Sequence, residues 1–251
     1  MDVKYTLENI APGGRIGLLL LATDFNSETD LRRILPAGVD VFTNRVLNAN
    51  PLTLENLRAM TDDIPRAASG ILPGFGVDVM VYGCTSGTAA IGQEELQRRI
   101  QGVQPNTPVT NPIAAATAAL SAFDSRKISI LTPYITSVND AVCSSFEQEG
   151  FEVLNIEGFG MEDDIEMTGL PLRAISDAAL QVCDPEADAL FISCTAIRSA
   201  SVVDSIEQKL GKPVVTSNQA LAWHCLRLIA NSSSVTGFGR LFDLPLKNWG
   251  E

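Results

Sequence analysis

The sequence predicts an α/β fold with parallel sheets, laid out as two similar lobes related by a pseudo-twofold axis. Three observations predict it. Short apolar runs alternate with longer stretches of helical character along the whole chain, which is strand–helix alternation. The apolar runs are nearly continuous, as in strands covered on both faces. One phrase, an apolar run closed by Cys-Thr and small residues, occurs twice, as "VYGCTSGT" from Val81 and "LFISCTAIRS" from Leu190.

Each element follows in order. "RIGLLLLAT" (15–23) reads as a buried strand, "SETDLRRIL" (27–35) as a helix and "VDVFTNR" (39–45) as a second strand. "TLENLRAMTDDIPRAASGIL" (53–72) reads as one long helical stretch, followed by the strand "VDVMVYG" (77–83). A helix is expected after Cys84, then the strand "TPVTN" (107–111) and helix-like "AAATAALSAF". The second half runs through strand 127–134, helix 137–150, strand 151–158, helix 171–183, strand 187–193, helix 202–211, strand 212–218 and helix-like "QALAWHCLRLI". Gly150 and Gly211 stand where helix C-terminal caps are expected. Arg15-Ile16-Gly17 resembles Lys127-Ile128-Ser129, and Thr107-Pro108-Val109 resembles Lys212-Pro213-Val214. The two halves repeat at an offset of roughly 110 residues.

Composition bounds the rest. A chain of 251 residues fits one large domain or two lobes of roughly 100–150 residues each. It is 45% hydrophobic and 19% charged, ordinary for a globular protein. A net charge of −12 argues against nucleic acid or an anionic membrane as partner, while a locally positive site leaves a small anionic substrate open. The five cysteines, 84, 143, 183, 194 and 225, are odd in number and irregular in spacing, with no C-x-x-C, which excludes a disulfide scaffold or zinc ribbon. The apolar run Ile16 to Ala22 is too short to span a bilayer, and a reducing, cytoplasmic setting is expected.

Ligands of parallel α/β sheets gather beyond the carboxyl ends of strands, where both Cys-Thr phrases fall. Thr85, Ser86 and Gly87 follow Cys84; small hydroxyl residues at a helix start leave backbone N–H groups free for an anion. Two facing thiols suit proton exchange on both faces of a carbon, or addition to an activated double bond. The helix start is expected to lower the Cys84 pKa and make that thiol the first to alkylate. A lone cysteine at a strand end is ordinarily packing; two in matching phrases shift the balance. Cys143, Cys183 and Cys225 lack that context and are assigned to packing. A single histidine, His224, in an apolar helix, excludes a His-rich metal site and makes a Ser-His-Asp triad untenable. No nucleotide-binding glycine motif follows a strand. The acidic "MEDDIE" (161–166) reads as a solvated loop or helix start, or as a loop at the cleft mouth.

On the phrases "YGCTSGT" (82–88), "LTPYITSVN" (131–139), "ISCTAIRS" (192–199) and "KPVVTSNQALAWHCLRL" (212–228), the chain resembles the aspartate/glutamate racemase superfamily. The likeness is nearest to the maleate cis-trans isomerases and the racemase-like protein of ectoine-utilisation clusters; "LPAGVDVFTNRVLNANPLTLENL" (35–57) has the look of the latter. The likeness covers nearly the whole chain. It implies two Rossmann-like lobes with the active site between them and a C-terminal helix crossing back. Lobe 1 would then hold 1–112 plus 218–251, and lobe 2 would hold 113–217. It implies no metal and no organic cofactor, a small carboxylate as partner, and a homo-oligomer, dimer or tetramer. By motif, Cys84 would be the nucleophile and Cys194 the proton donor. Thr85, Ser86, Thr195 and Ala196 would hold substrate carboxylates through N–H and hydroxyl groups, and Tyr134 would donate to one.

The maleate isomerases place an asparagine after the first strand. Here the turn reads "ATDFN" (22–26), with Asp24, or Thr23, in that place. A carboxylate about 4 Å from a substrate carboxylate repels it by around 4 kcal/mol at an effective dielectric near 20. Asp24 would thus favour an ammonium-bearing substrate, such as an ectoine-derived amino acid, unless it merely caps the next helix. The leading expectation is a cofactor-independent isomerase or racemase of a small carboxylate. The alternatives are a decarboxylating or hydrolytic relative needing Cys84 alone, and a non-catalytic metabolite-binding protein.

Overall fold

The computed structural model describes residues 4–247. Two four-stranded sheets, all parallel, have the same layout, β2-β1-β3-β4 and β6-β5-β7-β8. The first is built from β1 (Gly14–Leu21), β2 (Val39–Val46), β3 (Val79–Tyr82) and β4 (Val109–Thr110). The second is built from β5 (Lys127–Tyr134), β6 (Glu152–Met161), β7 (Ala189–Ile192) and β8 (Val214–Thr216). In each sheet the first and third strands form the centre. Ile16, Leu18 and Leu19 in β1, and Phe191 and Ile192 in β7, are wholly buried, as near-continuous apolar runs require.

The helices are α1 (Ser27–Ile34), α2 (Leu54–Ala59), α3 (Ile64–Ser69), α4 (Thr85–Ile91), α5 (Gln93–Gln101) and α6 (Pro112–Ala122) in the first half. In the second they are α7 (Thr136–Gln148), α8 (Asp164–Thr168), α9 (Leu172–Val182), α10 (Val203–Leu210) and α11 (Ser217–Leu228). The stretch 53–72 is not one helix. Thr53 caps α2, a 3-10 turn covers Met60–Asp62, and Pro65 in the first turn of α3 has no N–H to continue a helix. The sequence reading also passed over α5, which starts anew at Gly92, whose φ of 93° interrupts the path from α4. Gly211 does take the left-handed C-cap of α10, at φ 66°.

The last helix of each half crosses over. α6 follows the first sheet yet packs on α11, β8 and α7 as well as α4. α11 follows the second sheet yet packs on α1, β3 and β4. His224 Nδ1 meets Thr110 Oγ1 at 2.8 Å, tying α11 to the end of β4. This packing is in keeping with the division into 1–112 plus 218–251 and 113–217, which stands as a proposal; its residues 1–3 and 248–251 lie outside the described residues. Among the described residues no helix is long and apolar enough to cross a membrane.

Candidate active site

Cys84 lies two residues beyond the end of β3 and Cys194 two beyond the end of β7, so equivalent strands of the two sheets deliver one thiol each. Cys84 is the N-cap of α4, with extended backbone (φ −147°, ψ 117°), and its Sγ accepts from Gly87 N at 3.2 Å. Ser86 Oγ lies 3.5 Å from the same sulfur. A Cβ on Gly87 would fall 2.5 Å from Tyr82 Oη and 3.0 Å from Cys84 Sγ, which explains a glycine inside the phrase.

Cys194 is held differently. Its φ is +90°, a strained value for a side-chain-bearing residue, and strain of this kind collects at functional sites. No α-helix follows it directly; the chain turns through a 3-10 segment, Ser199–Ser201, before α10. Its Sγ accepts from Ala196 N at 3.3 Å, and Ile197 N also points to it. The helix start foreseen after Cys84 is therefore present, and Cys194 has no counterpart to it.

The two turns face each other. Thr195 Oγ1 donates to Gly83 O at 3.1 Å, and charge on either Cys194 or Asp164 would raise the pKa of Cys84. Tyr134, the last residue of β5, is 1% exposed and lies beside Cys194 within electrostatic reach of Cys84. Its Oη makes no hydrogen bond of ordinary geometry among the described residues.

Electrostatics corrects one expectation. Burial pushes Cys84 well above the ordinary thiol range, against the opposing pull of Ser86 Oγ and Gly87 N. Burial likewise pushes Cys194 up to about 12, against Tyr134 and the Ala196 and Ile197 N–H groups. Both residues rest as thiols, because complete desolvation of a thiolate outweighs one or two N–H dipoles. Cys84 is 3% and Cys194 4% exposed, so Cys84 is not the thiol that reagent reaches first.

The predicted binding residues divide. Ser86 and Ala196 sit against the sulfurs. Thr85 Oγ1 is instead paired with Ser217 Oγ of α11 at 3.0 Å, and the Thr195 hydroxyl is engaged by Gly83 O. These two hydroxyls fasten the turns and leave only backbone N–H groups for an anion. Asp24 takes the capping role: Oδ1 accepts from Asn26 N and Ser27 N at 3.0 and 2.9 Å, and Oδ2 from Ser27 Oγ at 2.7 Å. Its carboxylate is turned onto the start of α1. Thr23 Oγ1 accepts from Asn48 Nδ2 at 3.0 Å and donates to Asp164 of the opposite lobe.

Sequence reasoning missed four buried polar residues. Asn26 Nδ2 reaches Thr195 O at 3.2 Å and Ile197 O at 3.3 Å, so the turn after β1 does carry an amide, two residues beyond Asp24. Asn218 Nδ2 reaches the same Thr195 O at 2.9 Å. Asp30 Oδ2 accepts from both amides, at 2.7 and 2.9 Å. This network fixes the strained Cys194 turn from the far lobe and from α11. The fourth is Asp164, 2% exposed. Its neighbour Asp163 caps α8 through Ile165 N and Glu166 N, so the "MEDDIE" stretch is a helix start, with one carboxyl turned inward. The available signal was polar density, "DFNSETD" and "MEDDIE", straight after strand ends.

The family model of arylmalonate decarboxylase matches residues 37–242. Maleate isomerase of Nocardia farcinica is 26% identical over 238 residues, covering 90% of this chain and 94% of that protein. Arylmalonate decarboxylase of Bordetella bronchiseptica is 26% identical over 139 residues, covering 54% of this chain and 58% of that one. Among solved structures, a mutant of Nocardia farcinica maleate cis-trans isomerase with a covalently bound succinylcysteine intermediate superposes with a TM-score of 0.82. It is 24% identical and covers 91% of this chain and 97% of that one.

Proposed function

The chain belongs to the arylmalonate decarboxylase family, and from that premise we propose that it is a cofactor-independent isomerase of a small carboxylic acid, with Cys84 and Cys194 acting as a pair. The observation that carries this reading is the facing pair of buried thiols, each held by N–H groups of its own turn, with the phenol of Tyr134 beside them.

In the cis-trans form of the reaction, Cys84 first gives its proton to solvent water as the substrate enters, and the resulting thiolate adds to one carbon of the double bond. The π electrons move to the neighbouring carbon, where the Cys194 thiol delivers its proton. The bond between the two carbons is now single and rotates. Cys194 then recovers a proton from that carbon, the double bond re-forms and the Cys84–carbon bond breaks. In a racemisation, one sulfur removes the α-proton and the other returns one to the opposite face. Tyr134 Oη and the first-turn N–H groups of Thr85 and Ser86 would receive the carboxylate and the charge that develops on it. Ala196 N would steady a Cys194 thiolate. The Nocardia protein's succinylcysteine supports a covalent route here by likeness.

Substrate choice within this class is a further proposal: maleate-like acids and an ectoine-derived amino acid both fit the likeness. The family model also sustains a second reading, a lyase that needs one cysteine. Replacing either cysteine by alanine separates them. Net turnover and solvent-deuterium exchange should fall by roughly 100-fold to 10,000-fold in both variants. Cys194→Ala should still form a mass adduct at Cys84 with an unsaturated acid. Full activity of either single variant, with carbon dioxide released, would install the lyase. Binding without exchange in the wild type would install a non-catalytic protein.

A further inference from the structure

Asp164 is a carboxyl that the two-thiol mechanism leaves without a task. It opens α8 beyond the edge strand β6, is 2% exposed, and takes its side-chain hydrogen bond from Thr23 Oγ1 across the cleft. Among the described residues neither lysine nor arginine is paired with it. Its charge bears on both thiols and opposes the ionisation of each. Burial, with the charge of Asp163, raises the Asp164 pKa against the opposing bond from Thr23, so an unpaired negative charge there is costly. That charge hinders thiolate formation and repels a second substrate carboxylate, whereas a cation beside it would relieve the cost. A clasp between the lobes does not need it, because an asparagine oxygen accepts the same Thr23 bond without charge.

The opposite character stands beside the same thiols. Tyr134 Oη is buried beside Cys194 without a hydrogen bond of ordinary geometry, a donor suited to a carboxylate. The site thus offers a donor at one place and an anionic acceptor at another. We infer that Asp164 selects the substrate, and that the molecule held between the thiols carries a carboxylate at one end and a protonated nitrogen at the other, rather than two carboxylates. The inference rests on the isomerase reading for the position of the site and adds the charge pattern of its substrate.

The test uses two pairs of probes on the wild type, Asp164→Asn and Thr23→Val. Turnover compares maleate with (Z)-4-aminobut-2-enoate, which differs in replacing one carboxylate by an aminomethyl group. Calorimetric binding compares their saturated relatives, succinate and 4-aminobutanoate. The wild type should prefer the ammonium probe in both. Asp164→Asn should shift that preference toward the dianion by roughly 10- to 100-fold, the range for a hydrogen-bonded charge. Thr23→Val, which keeps the carboxylate and loses the clasp, should move both probes alike. Asp164→Ser repeats the comparison if the asparagine variant does not fold. Preference for the dianion in the wild type, or a preference untouched by Asp164→Asn, overturns the inference and leaves the isomerase reading intact. Selective binding that Asp164→Asn reverses, with no turnover of either acid, upholds the inference and removes the isomerase reading. Equal treatment of both probes in binding and turnover overturns it as well.

Discussion

Asp24→Asn should stabilise the protein at pH 8 and alter how its stability depends on pH. Burial raises the Asp24 carboxyl from 3.8 to about 6, despite bonds from Ser27 and Asn26, and Asp164 adds to the rise. The sign follows from which state releases its proton first. Below the unfolded value both states hold the proton and the contribution is complete. Between 3.8 and about 6 the unfolded chain ionises ahead of the folded one, so stability falls as pH rises, then levels off. The gap corresponds to about 3 kcal/mol at ~1.4 kcal/mol per pH unit. His224 works in the other direction. Burial lowers it from 6.5 to about 4, so its contribution is present above 6.5 and is lost as pH falls toward 4. That loss is also about 3 kcal/mol. The two slopes oppose each other over nearly the same window. Asparagine keeps the two backbone bonds through Oδ1 and caps as well as aspartate. Asp24→Asn should therefore match the wild type near pH 4, gain up to about 3 kcal/mol by pH 8, and show stability rising with pH as His224 is left unopposed. Urea unfolding at fixed ionic strength from pH 4 to 8 measures this, and His224→Gln added to Asp24→Asn should remove the new slope. A variant weaker than wild type at pH 8, with a parallel pH profile, would refute the reasoning.

Three further outcomes are expected. Brief iodoacetamide treatment, read by peptide mass mapping, should modify the half-buried Cys143 and Cys183 before Cys84, Cys194 or Cys225; early labelling of Cys84 would mean the site opens readily. Asn218→Ala leaves Asp30 and Thr195 O each short of a donor, and should destabilise by roughly 2–4 kcal/mol in chemical denaturation while lowering turnover. Raising pH above about 8.5 should weaken the fold, because Cys84, Cys194 and Cys225 ionise later folded than unfolded; the slope should approach ~1.4 kcal/mol per pH unit for each, and Cys225→Ala should make it shallower.

The fold was legible because its strands are buried on both faces. All eight apolar runs named from sequence overlap a strand, and β5 occupies the whole of the run marked out, Lys127–Tyr134. Helix ends were less legible where a proline or glycine acts locally, as at Pro65 and Gly92. The thiols were legible through repetition, since a phrase written twice stands out from packing. Their ionisation was not, because it depends on burial from all sides, which no local phrase encodes. Asp24 looked like a cleft residue because its neighbours lie at a strand end; which way its carboxylate turns was decided by the N–H groups of Asn26 and Ser27 at the start of α1. Asp164, Asp30 and Asn218 come from segments distant in the chain, and their meeting around the Cys194 turn is a property of the assembled lobes.

The crossing of α6 and α11 bears on how such a chain arose. Each half surrenders its final helix to the other, so a protein consisting of one half would leave a sheet and a helix with raw apolar surface. Two copies trading final helices would cover both. A half-length ancestor of this design would thus have been a helix-exchanged homodimer, with its cysteine facing its own twin across the symmetry axis. Joined in one chain the two halves are free to differ, and the extended backbone at Cys84 against the strained one at Cys194 is one such difference.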